Sequence, residues 1–235
     1  MTMVRWALAA VAIAATVSVA RGQTQAELVE AVLADDVDAV RALVQADVDA
    51  GIANVSEVCT GEVICPPLPL VCVVNSVEVL KELQAAATFE ANGPPSGLGP
   101  LTVWSSTLRL DLIEQLYAES EVDSNKVFEG EPPLLSVLKP IPEAGDISLV
   151  TDIVAVLLRE GADVNFQTTS GQTPFHKVID SEVDLPAEEI MQLMLEVDGI
   201  DLTLKQTDGV SLTHLASDSS MKGARESILQ DILAI

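Results

Sequence analysis

Apolar residues recur at helical spacing in a series of short segments along the chain. The clearest examples are residues 153–158 and 190–195, in which apolar side chains return every three or four positions. This spacing places them on one face of a helix, which can be buried against a neighbouring helix. Weaker copies of the pattern occur at residues 37–44, 77–83 and 112–117. The pattern predicts an all-α chain made of repeated helices.

Turns interrupt these helices at nearly regular intervals. Pro67, Pro100 and Pro133 are evenly spaced, and each is followed by leucine. Pro174 and then Leu212 take the same place after two somewhat longer intervals. Proline suits the first position of a helix, because the missing N–H would have no helical partner there. A period of about 33 residues predicts stacked helix-turn-helix units.

The last two of these turns contain a glycine followed by a hydroxyl residue. Gly171 and Gly209 can adopt positive φ in the turn, and Thr173 and Ser211 can cap the helix that follows. Glycine also ends each preceding helix, where a left-handed cap is expected, at Gly161 and Gly199.

These residues resemble the ankyrin repeat. Residues 157–165, which read LLREGADVN, and residues 171–176, which read GQTPFH, are close to that family's consensus. The resemblance implies an ankyrin-type solenoid of about six units over residues 23–235, including a capping unit at each end. A last helix is expected at residues 224–235. The positions that match the repeat motif are Gly171, Thr173, Pro174, His176, Gly209, Ser211 and His214.

The earlier units depart from the consensus in two ways. The histidine of the motif is replaced by Pro69, Thr102 and Leu135. Extra residues extend three units, at residues 50–64, 139–148 and 180–186, and the first and last of these are expected as long hairpins or as loops between helices.

The two histidines are candidates for catalysis or metal binding, but the repeat offers another role. His176 and His214 occupy the same motif position, where the resemblance implies that the imidazole hydrogen-bonds within the turn and across to the next unit. No third ligand lies near either histidine at metal-site spacing. Ser211 precedes His214 by one helical turn and is better explained as a helix cap than as a nucleophile. The sequence therefore predicts no enzyme, no metal site and no cofactor.

The N-terminus has the layout of a secretory signal. A positive charge at Arg5 precedes an apolar run over residues 6–20, and small residues follow at the expected cleavage positions. The run is shorter than the about 20 residues that span a bilayer. We expect residues 1–22 to be removed, so that the protein is secreted or lies in the periplasm or an endomembrane lumen. The alternatives are an uncleaved membrane anchor and a buried N-terminal helix.

Composition adds strong acidity to this picture. The chain has 36 acidic and 12 basic residues, and cleavage would remove Arg5 and Arg21, which leaves 10 basic residues and a net charge of −26. Such a charge repels nucleic acid and anionic membranes, and it attracts basic partners or divalent cations. The alternative, which we favour, is that the acidity keeps an exported protein soluble.

The cysteines and two smaller motifs fit an exported protein. Cys59 and Cys65 could form a disulfide in an oxidising compartment, whereas Cys72 lies in an apolar run typical of a buried thiol. Asn54 begins an N-glycosylation sequon. The acidic residues 35–38 resemble a calcium loop but lack its glycine and its other ligands, which favours a helix cap instead.

The ankyrin resemblance implies a scaffold that binds another protein through its hairpin tips and helical surface. With Asp and Glu at most of the exposed positions, we expect a basic surface on the partner. The alternatives are a structural or regulatory subunit of an exported complex and an acidic cation-binding protein. The sequence indicates neither the oligomeric state nor the identity of the partner.

Overall fold

The computed structural model describes residues 25–46, 69–94, 97–139, 146–181 and 185–216. The expected signal segment, Asn54, Cys59, Cys65 and the expected last helix lie outside these residues. Within them, no helix is long and apolar enough to cross a membrane.

The described residues form α-helices joined by turns, with isolated β-bridges in two hairpins. The first helix, α1, covers residues 25–33. The others are α2 (Val37–Gln45), a 3₁₀ helix (Leu70–Val73), α3 (Val77–Gln84), α4 (Pro100–Ser106), α5 (Leu110–Glu119), α6 (Pro133–Val137), α7 (Ser148–Arg159), α8 (Pro174–Ile179), α9 (Ala187–Leu195) and α10 (Leu212–Ala216).

The helices come in pairs, and in the second to fifth pairs a short first helix is followed by a longer second one. Three of the first helices, α4, α6 and α8, begin at the prolines that set the sequence period. The second helices α3, α5, α7 and α9 cover the amphipathic segments predicted from the sequence. The described residues thus contain five pairs and the opening helix of a sixth.

The first helix of the second pair is described only in part. The start that the period predicts, Pro67, lies outside the described residues, and within them this helix is a 3₁₀ helix, Leu70–Val73. Pro69, with ψ 144°, is extended and precedes this helix as its N-cap. The second helix, α3, keeps the period, because it begins at Val77 and α5 begins at Leu110. Cys72 is buried in the 3₁₀ helix.

The described residues fall into two compact units. One contains α1, α2, the 3₁₀ helix and α3, together with residues 118–120. In this unit α2 packs on α3, and Arg41 donates to Glu82 at 2.8 Å between them. The acidic run at residues 35–38 contains the cap of α2, because the Asp36 carboxylate accepts the Ala39 N–H at 3.0 Å.

The other unit contains α4, α6 to α10 and most of α5. Its first helices pack in a row, α4 on α6 and α6 on α8, and α7 packs on α9 in the same way. The buried residues are mostly aliphatic, as the composition requires, with Trp104 and Phe175 as the large exceptions. Each pair thus buries its apolar faces between its neighbours, which is the basis of stability in a repeat stack.

Candidate interaction surface

Hairpin turns project between the helix pairs of the second unit. Gly171 has φ +77° and Gly209 has φ +85°, and each closes a turn through its own N–H, to Thr168 O at 2.8 Å and to Gln206 O at 2.9 Å. Both glycines therefore adopt the left-handed conformation that the sequence suggested.

The two turns also touch each other. Thr207 N–H donates to Ser170 O at 2.9 Å, which joins one tip to the next. A Cβ atom on Gly171 would lie 2.8 Å from Thr207 N and 2.9 Å from Gln206 Cα. Gly171 is thus needed both for its φ angle and for the close approach of the next turn.

A second set of hydrogen bonds joins the loops at the bases of the hairpins. Asn125 donates to Gly161 O at 2.9 Å and accepts from Asp163 N–H at 2.7 Å. Asn165 repeats this one unit later, with Gly199 O at 2.9 Å and Asp201 N–H at 2.8 Å. Each asparagine amide therefore binds one acceptor and one donor of the next loop, which fixes the register of neighbouring units.

Tyr117 begins a partly buried hydrogen-bond chain between two repeats. Ser124 Oγ donates to Glu160 O at 2.7 Å, and the Tyr117 hydroxyl lies 2.8 Å from Ser124 Oγ. Because a serine hydroxyl has a single proton, Tyr117 must be the donor to Ser124. Burial is the main cause that raises the pKa of Tyr117 to about 12 from its ordinary 10.0.

We expect the phenol of Tyr117 to titrate near pH 12 in the folded protein. The chain has one tyrosine, so absorbance at the phenolate band reports this residue alone. In denaturant the same residue should titrate near 10. Because the folded pKa is the higher one, stability should be full below pH 10 and fall as the pH rises towards 12. A native titration near pH 10 would show that the Tyr117 phenol is not buried in the folded protein.

His176 lies at the start of α8 and is fully buried. Thr173 Oγ1 accepts from His176 N–H at 3.3 Å and lies 2.7 Å from Nδ1, so the two side chains cap the helix reciprocally. The Thr173 N–H also donates to Nδ1 at 3.4 Å. Since Nδ1 accepts, the neutral ring carries its proton on Nε2.

The contact of His176 with the next unit is weaker than its contact within the turn. Among the described residues Nε2 makes no hydrogen bond, although the main chain of Val210 in the next unit is near enough to raise the pKa. Burial lowers the pKa of His176 by more than Val210 and the Asp180 carboxylate raise it. His214, at the same motif position, is exposed, and its N–H donates to Ser211 Oγ at 3.2 Å.

We expect acid to destabilise the fold through His176. The pKa of this residue lies below its ordinary value of 6.5, so the unfolded chain takes up the proton first. Stability should be full above pH 6.5 and decline as the pH falls below it. The imidazole NMR signals of the two histidines, assigned with His176→Gln, would show a lowered pKa for His176. The urea midpoint of His176→Gln should depend less on pH between about 7.5 and 5.5 than that of the wild type.

Exposed carboxylates gather where the second helices end and their loops begin. This acidic edge consists of Glu121, Asp123, Glu160, Asp163, Glu196, Asp198 and Asp201. The hydrogen bonds of Asn125 and Asn165 hold its three loops side by side. Hydrogen bonds from Thr203 lower the pKa of Asp201, so this carboxylate is charged at neutral pH.

The carboxylates of the acidic edge lie at the negative ends of the helix dipoles, where negative charge is unfavourable. The C-terminal end of a helix carries a partial negative charge and is stabilised by cations. Nevertheless Glu160 and Glu196 are the C-caps of α7 and α9, and the last turn of α9 contains no basic residue. Arg159 pairs with Glu160 at 2.9 Å and offsets part of the charge. The positions of these carboxylates are therefore not explained by helix stability.

A separate groove lies between α4, α6 and the hairpin at residues 128–131. It has a volume of about 360 Å³, and Val103, Ser106 and Phe128 line it. Glu131 and Lys139 form an ion pair at its border. No group of three or more potential metal ligands occurs among the described residues.

The contacts that join the repeats were not predicted from the sequence. Asn125 and Asn165 each follow an aspartate by two positions, so the Asp-x-Asn spacing could have indicated which asparagines join the loops. The hydrogen-bond chain from Tyr117 through Ser124 had no sequence signal, because it depends on how neighbouring repeats are placed.

Comparison with known proteins gives one informative result. No protein-family model and no curated protein matches the chain. Among solved structures, the chain is similar to the crystal structure of EF0377, an ankyrin repeat protein, with a TM-score of 0.65 and 21% identity. The likeness covers 88% of this chain and 96% of that chain. Together with the helix pairs, it confirms the predicted fold class, an all-α ankyrin-type solenoid.

Proposed function

We propose that this protein is an exported, non-enzymatic scaffold that binds a basic surface of another protein through its acidic edge. The observation that carries the proposal is the position of the edge. Carboxylates that oppose three helix ends reduce stability, and a sequence that breaks a local rule in this way often does so for function. A binding partner with lysine or arginine would relieve the repulsion.

The geometry of the edge supports a protein as the partner. The hydrogen bonds of Asn125 and Asn165 hold the carboxylates of successive loops in a fixed order, so they form an extended row. An extended row of like charges suits a broad basic surface, which gains both speed and specificity of association from complementary charge. The signal-like pattern of residues 1–22 supports export.

Zero-length cross-linking tests this function directly. A carbodiimide joins a carboxylate to a lysine amine in contact with it, so the cross-linked atoms must have been in contact. We expect mass spectrometry of native secretions to find Glu160, Glu196 or Asp198 joined to lysines of one partner protein. Cross-links confined to carboxylates elsewhere, such as Asp152 or Glu188, would refute the edge as the binding surface.

A further inference from the structure

A groove of about 470 Å³ runs between α1 and α2 in the first unit. Its floor is apolar and built from small residues, namely Ala31, Ala34, Ala39 and Ala42, with Leu43 beside them. Its volume falls within the about 300–1,000 Å³ typical of binding sites. Small side chains on two adjacent helices let a third helix approach closely, because its ridges fit the groove between them.

Apart from Ala31, the groove lies outside the core of this unit. The buried side chains of α1 are Leu28, Val29, Ala31 and Val32, and α2 buries Val40. Ala34 and Ala42 are exposed, although they line an apolar surface. Among the described residues, the groove therefore presents an apolar helical face that no other helix covers.

Carboxylates surround the apolar floor. Glu27, Glu30 and Asp36 line the groove, and all three are exposed. Arg41, the basic residue of α2, pairs instead with Asp38 and Glu82, both at 2.8 Å. The groove thus combines an apolar floor with a negative rim.

We infer that this groove binds an amphipathic helix of a partner protein, with apolar residues on one face and lysine or arginine beside them. Apolar anchors at helical spacing would lie on the alanines, as in helix-in-groove recognition, and the basic residues would meet Glu27 and Glu30. A second copy of this chain fits less well, because it would bring the same carboxylates against each other. The inference does not depend on the acidic edge, which belongs to the other unit.

A synthetic peptide tests the groove. The probe is a fluorescent helical peptide with leucine and alanine on one face and lysine on its flanks, titrated with the full chain by anisotropy. Ala42→Arg places a long cationic side chain in the groove, and Ala118→Arg makes the same change at an exposed alanine of α5. We expect Ala42→Arg to weaken binding at least about tenfold, which corresponds to about 1.4 kcal/mol, and Ala118→Arg to leave it nearly unchanged. Because Ala42 is exposed, the variant should fold, and circular dichroism checks this.

Three results would overturn the inference, and each of them leaves the proposed function untouched. Equal binding by the wild type and Ala42→Arg would exclude the groove. If binding is lost when Glu160, Glu196 and Asp198 are neutralised but is kept in Ala42→Arg, the peptide binds at the acidic edge. The proposed function would then stand. A dimer that Ala42→Arg dissociates, without peptide binding, would make a second copy the occupant.

Discussion

Gly171→Ala is expected to lower the free energy of unfolding by about 2–4 kcal/mol. Alanine in the left-handed conformation costs about 1–2 kcal/mol, and overpacking against fixed atoms costs about 1–3 kcal/mol more. The second cost arises because a Cβ here would lie within 3.0 Å of main-chain atoms of Gln206 and Thr207, which cannot rotate away as a side chain could. Urea unfolding followed by helical circular dichroism measures the loss.

Gly209→Ala is the matched control for this experiment. Gly209 has a similar φ, +85°, in the equivalent turn, but apart from its two chain neighbours no described residue has an atom within 4 Å of the position of its Cβ. This variant should lose only the conformational cost of about 1–2 kcal/mol. Equal losses for the two variants would mean that the hairpin tips are not in contact.

Neutralising the acidic edge should weaken partner binding by at least about tenfold while leaving the fold slightly more stable. The edge variant carries Glu160→Gln, Glu196→Gln and Asp198→Asn, which spares Asp163 and Asp201 because their carboxylates hold the loops. Each removed charge lies near the negative end of a helix, where the repulsion is worth about 0.3–1 kcal/mol. If the carboxylates are kept for binding although they lower stability, removing them should weaken binding and raise stability.

A variant with the same change in charge serves as the control. Asp152→Asn, Glu188→Gln and Glu189→Gln also remove three negative charges, but from α7 and α9 away from the edge. Because Glu188 and Glu189 lie in the first turn of α9, where negative charge is favourable, this variant should lose stability and keep its binding. Equal weakening of binding in both variants would indicate that net charge, rather than the edge, determines the affinity.

The fold could be predicted from the sequence because its signals are local. Pro100, Pro133 and Pro174 mark the helix starts through a property of their own backbone, and glycines 171 and 209 mark the turns in the same way. The first helix of the second pair shows the limit of this approach. There the period marks Pro67, which lies outside the described residues, and no local pattern predicted that the helix after Pro69 would be a 3₁₀ helix.

The interaction surface could be predicted only in part. Net acidity was evident from the composition, but its concentration at the helix ends depends on which carboxylates the stack brings together. Asp123, Asp163 and Asp201 lie far apart along the sequence, and only the hydrogen bonds of Asn125 and Asn165 make their loops neighbours. Contacts between repeats follow from their packing and not from any local pattern.

The salt dependence of binding tests the central claim most directly. The cross-linked partner, once purified, would be titrated calorimetrically into the full chain at low and high ionic strength. Screening shortens the range of exposed charges from about 10 Å at 0.1 M to about 3 Å at 1 M. If the acidic edge meets a basic surface, the Kd should rise steeply with salt for the wild type and only weakly for the edge variant. A Kd that stays constant with salt, or that rises equally in both proteins, would contradict the claim.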